Sequence, residues 1–246
     1  TSARALGNAE LNAVLSLTSG RSVVVEMKNG KVQDEVGRNA NSSTYFSLAS
    51  VSKTLTAALV LKLAEQKKIN LDTSMRTYLP EIFPPSTADI LGTQPVWAFL
   101  NHATGMASHN FKAVTSGKTS YQQYGEFAAT LTPSAPVGMY LYSNDNYVLL
   151  TLLIEKVTKL KFESAAWRLV WQPLGVPGGY LNTTTRATQV LGGSGAWMSS
   201  ARDIAVLFNA LNPQTPGKKI LSTPWLQEMH DSRYSSEYRN GLRYLK

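Results

Sequence analysis

The sequence predicts an α+β fold in which a mainly helical lobe is inserted between parts of one sheet. Three observations lead there: two β-rich runs flanking an Asn-Gly pair near the start, two almost wholly apolar helical segments further on, and a short strand-like run at the end. A chain of 246 residues is long enough for one sizeable domain or two closely packed lobes. With 43% hydrophobic and 16% charged residues it is far too apolar for a disordered chain. The α/β part is expected over residues 1–60 and about 190–246, the helical part over about 61–189.

In chain order, Asn8 to Leu17 reads as a short amphipathic helix. Ser22 to Met27 and Lys31 to Val36 flank Lys28-Asn29-Gly30, and Asn-Gly between β-rich runs is the strongest local hairpin signal. A loop rich in Asn and Ser follows, from Asn39 to Thr44. Thr54 to Gln66 holds strong helix formers and is apolar nearly all round as far as Lys62, which belongs inside a domain. Pro80, Pro84 and Pro85 make Leu79 to Asp89 a loop. A short helix over Pro95 to Leu100 leads into a turn, His102 to Gly105. Asn146 to Leu160 is a second buried helix, with Lys156 and Lys159 near the end where the helix dipole favours cations. Ala201 to Leu211 is helical, and Ser200 with Asp203 offers a capping box. Asn240 to Tyr244 reads as a strand.

Composition narrows the function. The absence of cysteine excludes a disulfide framework, thiolate zinc sites and a cysteine nucleophile. His102, His109 and His230 show no metal-ligand spacing, so no metal is expected, and no organic cofactor is implied. No apolar run approaches the roughly 18 residues that span a bilayer, and no signal sequence stands at the front. The net charge of +8 favours anionic partners, but the lysines and arginines are scattered and no basic cluster is interleaved with aromatics. Nucleic acid is therefore not an expected partner.

Two short motifs can carry chemistry. Ser50 and Lys53 stand three residues apart at the mouth of the first apolar helix, a spacing that stacks them on one helical face. The bland reading is an N-cap serine and a solvated lysine. Against it, Ser-x-x-Lys occurs once in the chain and opens a helix anchored in the core. The lysine is useful as a proton acceptor if its pKa is lowered, or as an electrostatic aid if it stays charged; the sequence leaves both open. The second motif is Tyr142-Ser143-Asn144, led by Pro136-Val137-Gly138 and followed by the other apolar helix. Tyr180-Leu181-Asn182 and Tyr238-Arg239-Asn240 match the same Tyr-x-Asn pattern, but neither has that lead and that helix behind it.

Taken in order, FSLASVSKTLTAALVLKLAEQ from Phe46, FLNHATGM from Phe99, PVGMYLYSN from Pro136 and GGSGAWMSSARDIAVLF from Gly192 resemble the serine β-lactamase and penicillin-binding-protein-like family. The likeness is greatest to the branch of class C β-lactamases, D-alanyl-D-alanine carboxypeptidases and related esterases, over residues 20–245. The resemblance implies a mixed antiparallel sheet flanked by helices beside an all-helical lobe. It implies Ser50 as an acylated nucleophile, Lys53 and Tyr142 sharing the acid and base work, and Asn144 orienting a substrate amide. The Ser50 backbone N–H would be one oxyanion donor. The substrate would be a β-lactam, a D-amino-acid peptide or a small ester. By the same analogy the setting is periplasmic or secreted.

One departure stands out. The third motif of such proteins, Lys-Thr/Ser-Gly or His-x-Gly on a strand, is absent: Lys118-Thr119-Ser120 lacks the glycine, and no histidine precedes a glycine by two. In relatives it follows the stretch resembling Tyr238 to Tyr244. The sheet is thus expected to be incomplete here, to be completed by a further segment or a second chain. The departure also motivates an alternative, a catalytically weak or silent protein that keeps the fold and binds peptidoglycan or penicillin. Of the remaining candidates, His102 is expected to be structural, His230-Asp231 superficial and Trp197 core, with Gly193 and Gly195 marking close backbone approach. Ser194 does not satisfy Gly-x-Ser-x-Gly.

Overall fold

A computed structural model describes residues 7–84, 90–231 and 238–243. Helix α1 (Asn8–Ser16) packs on a hairpin of β1 (Ser22–Lys28) and β2 (Lys31–Arg38). The strands run antiparallel from Ser22 opposite Arg38 to Lys28 opposite Lys31. Asn29 and Gly30 both have positive φ, 50° and 76°, which matches the twist of the flanking strands and accounts for the hairpin. Strand β3 (Tyr45–Ser47) leads through a 3₁₀ turn, Ala49–Val51, into α2 (Ser52–Glu65). That helix is buried at every residue from Ser52 to Leu61 and again at Leu63 and Ala64. It carries no polar stripe because other elements enclose it. Each of Leu55, Leu59, Leu61 and Leu63, at 1% exposure or less, contributes about 2 kcal/mol by leaving water.

The helical region continues with α3 (Met75–Tyr78), α4 (Val96–Leu100), α5 (Asn110–Thr115), α6 (Tyr121–Ala129) and α7 (Asn144–Thr158). Helix α7 packs beside α2, is buried from Asp145 to Ile154, and stops at Lys159 in the left-handed conformation. After α8 (Phe162–Ala166), a π-helical turn at Trp167–Trp171 and α9 (Gln172–Leu174), the chain forms β4 (Tyr180–Leu181), α10 (Arg186–Gln189) and β5 (Trp197–Ser200). Strand β5 lies between β3 and β4, antiparallel to both, and so joins the segment before α2 to the end of the helical region. Helices α11 (Ala201–Leu211) and α12 (Thr223–His230) precede a small hairpin, β6 (Tyr238–Arg239) and β7 (Leu242–Arg243). No described helix is long and apolar enough to cross a membrane.

The expected α+β class holds, with corrections at the edges. Helices α2 and α7 each begin two residues earlier than the sequence suggested, so Asn144 opens a helix rather than ending a loop. Among the described residues the strands form three separate sheets, and β1 pairs with β2 alone. The expected strand over Asn240 to Tyr244 is in fact a turn and a shorter strand. Asn240 and Gly241 have φ of 39° and 93°, the same Asn-Gly turn chemistry as at Asn29-Gly30, and β7 begins at Leu242; Tyr244 lies outside the described residues, as do residues 85–89 of the proline-rich loop. Ser200 caps α11 by accepting the Asp203 N–H at 3.1 Å, but the Asp203 carboxylate accepts from Gly178 N–H at 2.9 Å instead of closing a capping box. His230, expected at the surface, is half-buried with Nε2 3.1 Å from the Leu211 carbonyl.

Candidate active site

Ser50 lies in the 3₁₀ turn between β3 and α2. The turn is held to the central strand: Leu48 N–H donates to the Trp197 carbonyl at 2.9 Å, and Ser52 Oγ accepts the Trp197 N–H at 3.1 Å. Ala49 takes a left-handed φ of 45°, unusual for a residue with a Cβ. Ser50 itself is exposed, while Lys53, one turn on, is 1% exposed.

Three oxygens surround the Lys53 ammonium. Nζ donates to the Ser194 carbonyl at 2.5 Å, to Asn144 Oδ1 at 2.7 Å and to Ser50 Oγ at 3.3 Å. It also lies 4.9 Å from the ring centre of Tyr142 and 5.7 Å from that of Tyr147. Burial removes water from the charged form and brings its pKa down to about 7. Both protonation states are then populated at neutral pH. A neutral amine has two N–H donors and one lone pair. The Ser194 carbonyl and Asn144 Oδ1 are acceptors only, so they retain the N–H bonds and the lone pair is left facing Ser50, the one partner that can donate.

Tyr142 Oη donates to Ser50 Oγ at 2.7 Å, which leaves the serine proton free for the amine. Burial raises the phenol's pKa above its ordinary 10, with the bond to Ser50 and the nearby Arg243 charge opposing. Tyr142 is therefore a neutral donor at physiological pH.

His102 sets this tyrosine in place. Its carbonyl accepts Leu141 N–H at 2.8 Å and its Nδ1 accepts Ser143 N–H at 3.1 Å. Its ring lies 4.5 Å from that of Tyr142 and 4.4 Å from that of Tyr238. Burial, then the Lys53 charge, pushes its pKa well below the usual value, so the imidazole is neutral. That agrees with the structural role expected for it.

Ser50 and Tyr142 open into a cleft of about 480 Å³, also lined by Val51, Phe208, Tyr238, Leu242 and Arg243. A larger cleft of about 620 Å³ between Trp97 and Trp225 contains none of these residues and no comparable nucleophile–base pair. The four residues singled out in the sequence are thus joined by hydrogen bonds, with Ser50 and Tyr142 on the cleft and Lys53 and Asn144 behind them. Neither of the other two Tyr-x-Asn asparagines reaches Lys53: Tyr238 lines the same cleft but Asn240 is buried against Asn101, and Asn182 bonds within its own turn. Sequence reasoning missed the Ser194 carbonyl as a lysine partner, and Arg243 in the cleft. The flanking glycines were the available signal for Ser194. A Cβ on Gly193 would come within 2.5 Å of Thr56 Oγ1 and 2.8 Å of Thr151 Oγ1, the close approach expected there, whereas one on Gly195 would meet nothing nearer than Leu191 Cδ1 at 3.3 Å, so that glycine marks none; Trp197 is buried core, as expected.

The Beta-lactamase family model matches residues 8–244. The chain is 30% identical over 152 residues to Unguisins hydrolase ungD of Aspergillus violaceofuscus, covering 57% of this chain and 26% of that protein. It is 26% identical over 185 residues to Esterase EstB of Burkholderia gladioli, covering 68% of this chain and 46% of that one. It therefore spans less than half the length of either relative. The octameric penicillin-binding protein homologue from Pyrococcus abyssi superposes with a TM-score of 0.76 at 19% identity, over 96% of this chain and 65% of that one, a likeness of fold. With its family model matched almost end to end, the chain belongs to the β-lactamase family of serine hydrolase folds.

Proposed function

We propose that this protein is a serine acyl hydrolase with Ser50 as nucleophile, Lys53 as general base, Tyr142 as general acid and Asn144 as the residue that holds Lys53 and orients the substrate amide. One observation carries the reading: Ser50 Oγ lies between a buried amine at 3.3 Å and a phenol at 2.7 Å, at the floor of an open cleft. As Oγ attacks the substrate carbonyl, its proton passes to Lys53 and the Ser50 backbone N–H supports the developing oxyanion. Tyr142 protonates the departing amine or alcohol and is reprotonated from Lys53. Water then cleaves the serine ester with the same groups in reverse.

The substrate class follows from the cleft wall. Arg243 is the sole charged side chain among its described lining residues, and the rest of the wall is largely apolar. This favours a β-lactam or a D-amino-acid peptide bearing a carboxylate over a small neutral ester. Arg243→Gln is expected to lower kcat/KM for a carboxylate-bearing substrate about tenfold. An equal loss for its methyl ester, measured in parallel, would remove the arginine from recognition. The periplasm or cell exterior is the setting we assign by family analogy.

A fluorophosphonate probe tests the central claim. Mass spectrometry should find one phosphonyl group, placed by peptide fragmentation on Ser50. An adduct on another residue, or none, would overturn the assignment. Fluorescent penicillin separates the catalytic from the silent reading: turnover supports a hydrolase, whereas one equivalent of stable acyl-protein supports a penicillin-binding protein without hydrolysis.

A further inference from the structure

Asn144 is held at both ends of its carboxamide. Oδ1 accepts from Lys53 at 2.7 Å, and Nδ2 donates to Asn110 Oδ1 at 3.3 Å. Its backbone N–H donates to Ser108 Oγ at 2.7 Å. The segment 108–110 therefore meets Asn144 twice, and the same segment is anchored to the fully buried Asp145. His109 N–H donates to Asp145 Oδ1 at 2.9 Å, His109 Nδ1 lies 2.6 Å from Oδ2, and the Tyr124 hydroxyl donates to the same carboxylate. The α7 cap, Ser143 Oγ, bonds the Ala107 carbonyl at 3.1 Å.

The two ends of a carboxamide have nearly the same shape and opposite hydrogen-bonding character. Turned over, Asn144 would set Nδ2 against the Lys53 amine and Oδ1 against Asn110 Oδ1, acceptor to acceptor. The Lys53 ammonium opposes this second arrangement from one side and Asn110, in the orientation it has here, from the other; once the amine is neutral, Asn110 is the opposing group that remains. We propose that Asn110 is a positioning residue for chemistry at Ser50: on a segment anchored by His109 and Asp145, its side-chain oxygen fixes which end of Asn144 faces Lys53, and hence where the lysine lone pair points. This rests on the hydrolase reading above.

Two variants test it. Asn110→Ala frees the carboxamide to turn over. Its kcat should fall about tenfold because proton transfer is impaired, and KM should rise with it because Asn144 also orients the substrate amide. The Lys53 titration midpoint should also move down, because an amide N–H facing the amine disfavours the ammonium. Asn110→Asp keeps an oxygen for Nδ2 and adds negative charge. Its high-pH rate should stay within about threefold of wild type, while the Lys53 midpoint moves up by about one pH unit. The groups otherwise bearing on Lys53 are Tyr142, Tyr147 and His102, with Arg243 acting on Tyr142, and neither variant changes them.

The midpoint is read directly from the lysine ¹³Cε shift in a Ser50→Ala background, so it does not depend on turnover. Mere loosening of the segment would admit water and raise the midpoint in both variants. An Asn110→Ala midpoint that stays put or rises overturns the proposal, as does an Asn110→Asp plateau as low as that of Asn110→Ala. Failure of wild-type Ser50 to take up the fluorophosphonate counts against the hydrolase reading instead.

Discussion

Replacing Lys53 by methionine is expected to lower kcat about a thousandfold, within the range that a positioned proton acceptor supplies. Methionine fills a similar volume among the α2 and α7 side chains but can neither accept the Ser50 proton nor donate to Asn144 and Ser194. The wild-type pH profile should identify which group is the base. With Lys53 near 7, kcat/KM rises with pH as the amine loses its proton and levels off about a unit above that value. Because Tyr142 is pushed above 10, no falling limb is expected below pH 10. A profile still rising near pH 10 would make the phenolate the base and overturn the assignment.

The same lysine links stability to pH. The unfolded chain holds the Lys53 proton up to the ordinary 10.5, the folded chain only to about 7. Between these values the unfolded state binds more protons, so wild-type stability rises with pH, by on the order of 5 kcal/mol in total at 1.36 kcal/mol per unit. Lys53→Met lacks this dependence. The difference in Tm between the two proteins should change in the wild type's favour from pH 7 towards pH 10 and be nearly constant below pH 6, which thermal melts across that range would read.

Gly193→Ala is expected to lower stability by about 3 kcal/mol, or roughly 10 °C in Tm. The new methyl would meet Thr56 Oγ1 at 2.5 Å, Phe162 Cζ at 2.7 Å and Thr151 Oγ1 at 2.8 Å, all on packed elements that cannot withdraw. It would also disturb two bonds of the same residue, Thr56 Oγ1 to the Gly193 carbonyl at 2.8 Å and Gly193 N–H to Thr151 Oγ1 at 3.1 Å. Ser194 follows directly, so its carbonyl should shift away from Lys53 and activity should fall further than stability alone explains. A variant that melts within about 2 °C of wild type would show that this turn has room to move.

Much of this was legible in the sequence because it depends on local rules. Asn29-Gly30 announces its hairpin through the φ > 0 that type I′ turns require, and the unbroken apolar surfaces of α2 and α7 announce burial. Asn240-Gly241 carries the same signal, but the arms on either side of it, Tyr238–Arg239 and Leu242–Arg243, are only two residues each, too short to show a strand pattern. Ser50 and Lys53 were recognisable by spacing within one helical turn. The Ser194 carbonyl, Asn110 and Arg243 were not. A backbone oxygen has no side-chain signature, and the other two reach the site only through tertiary packing.

The lysine's partners lie 91 and 141 residues away along the chain, on separate elements. An amine at the mouth of α2 gains its altered proton affinity only once α7 and the glycine-rich turn before β5 have closed over it. If Ser50 is the nucleophile proposed above, labelling by fluorophosphonate during refolding should therefore lag the return of helical signal and report the last tertiary step.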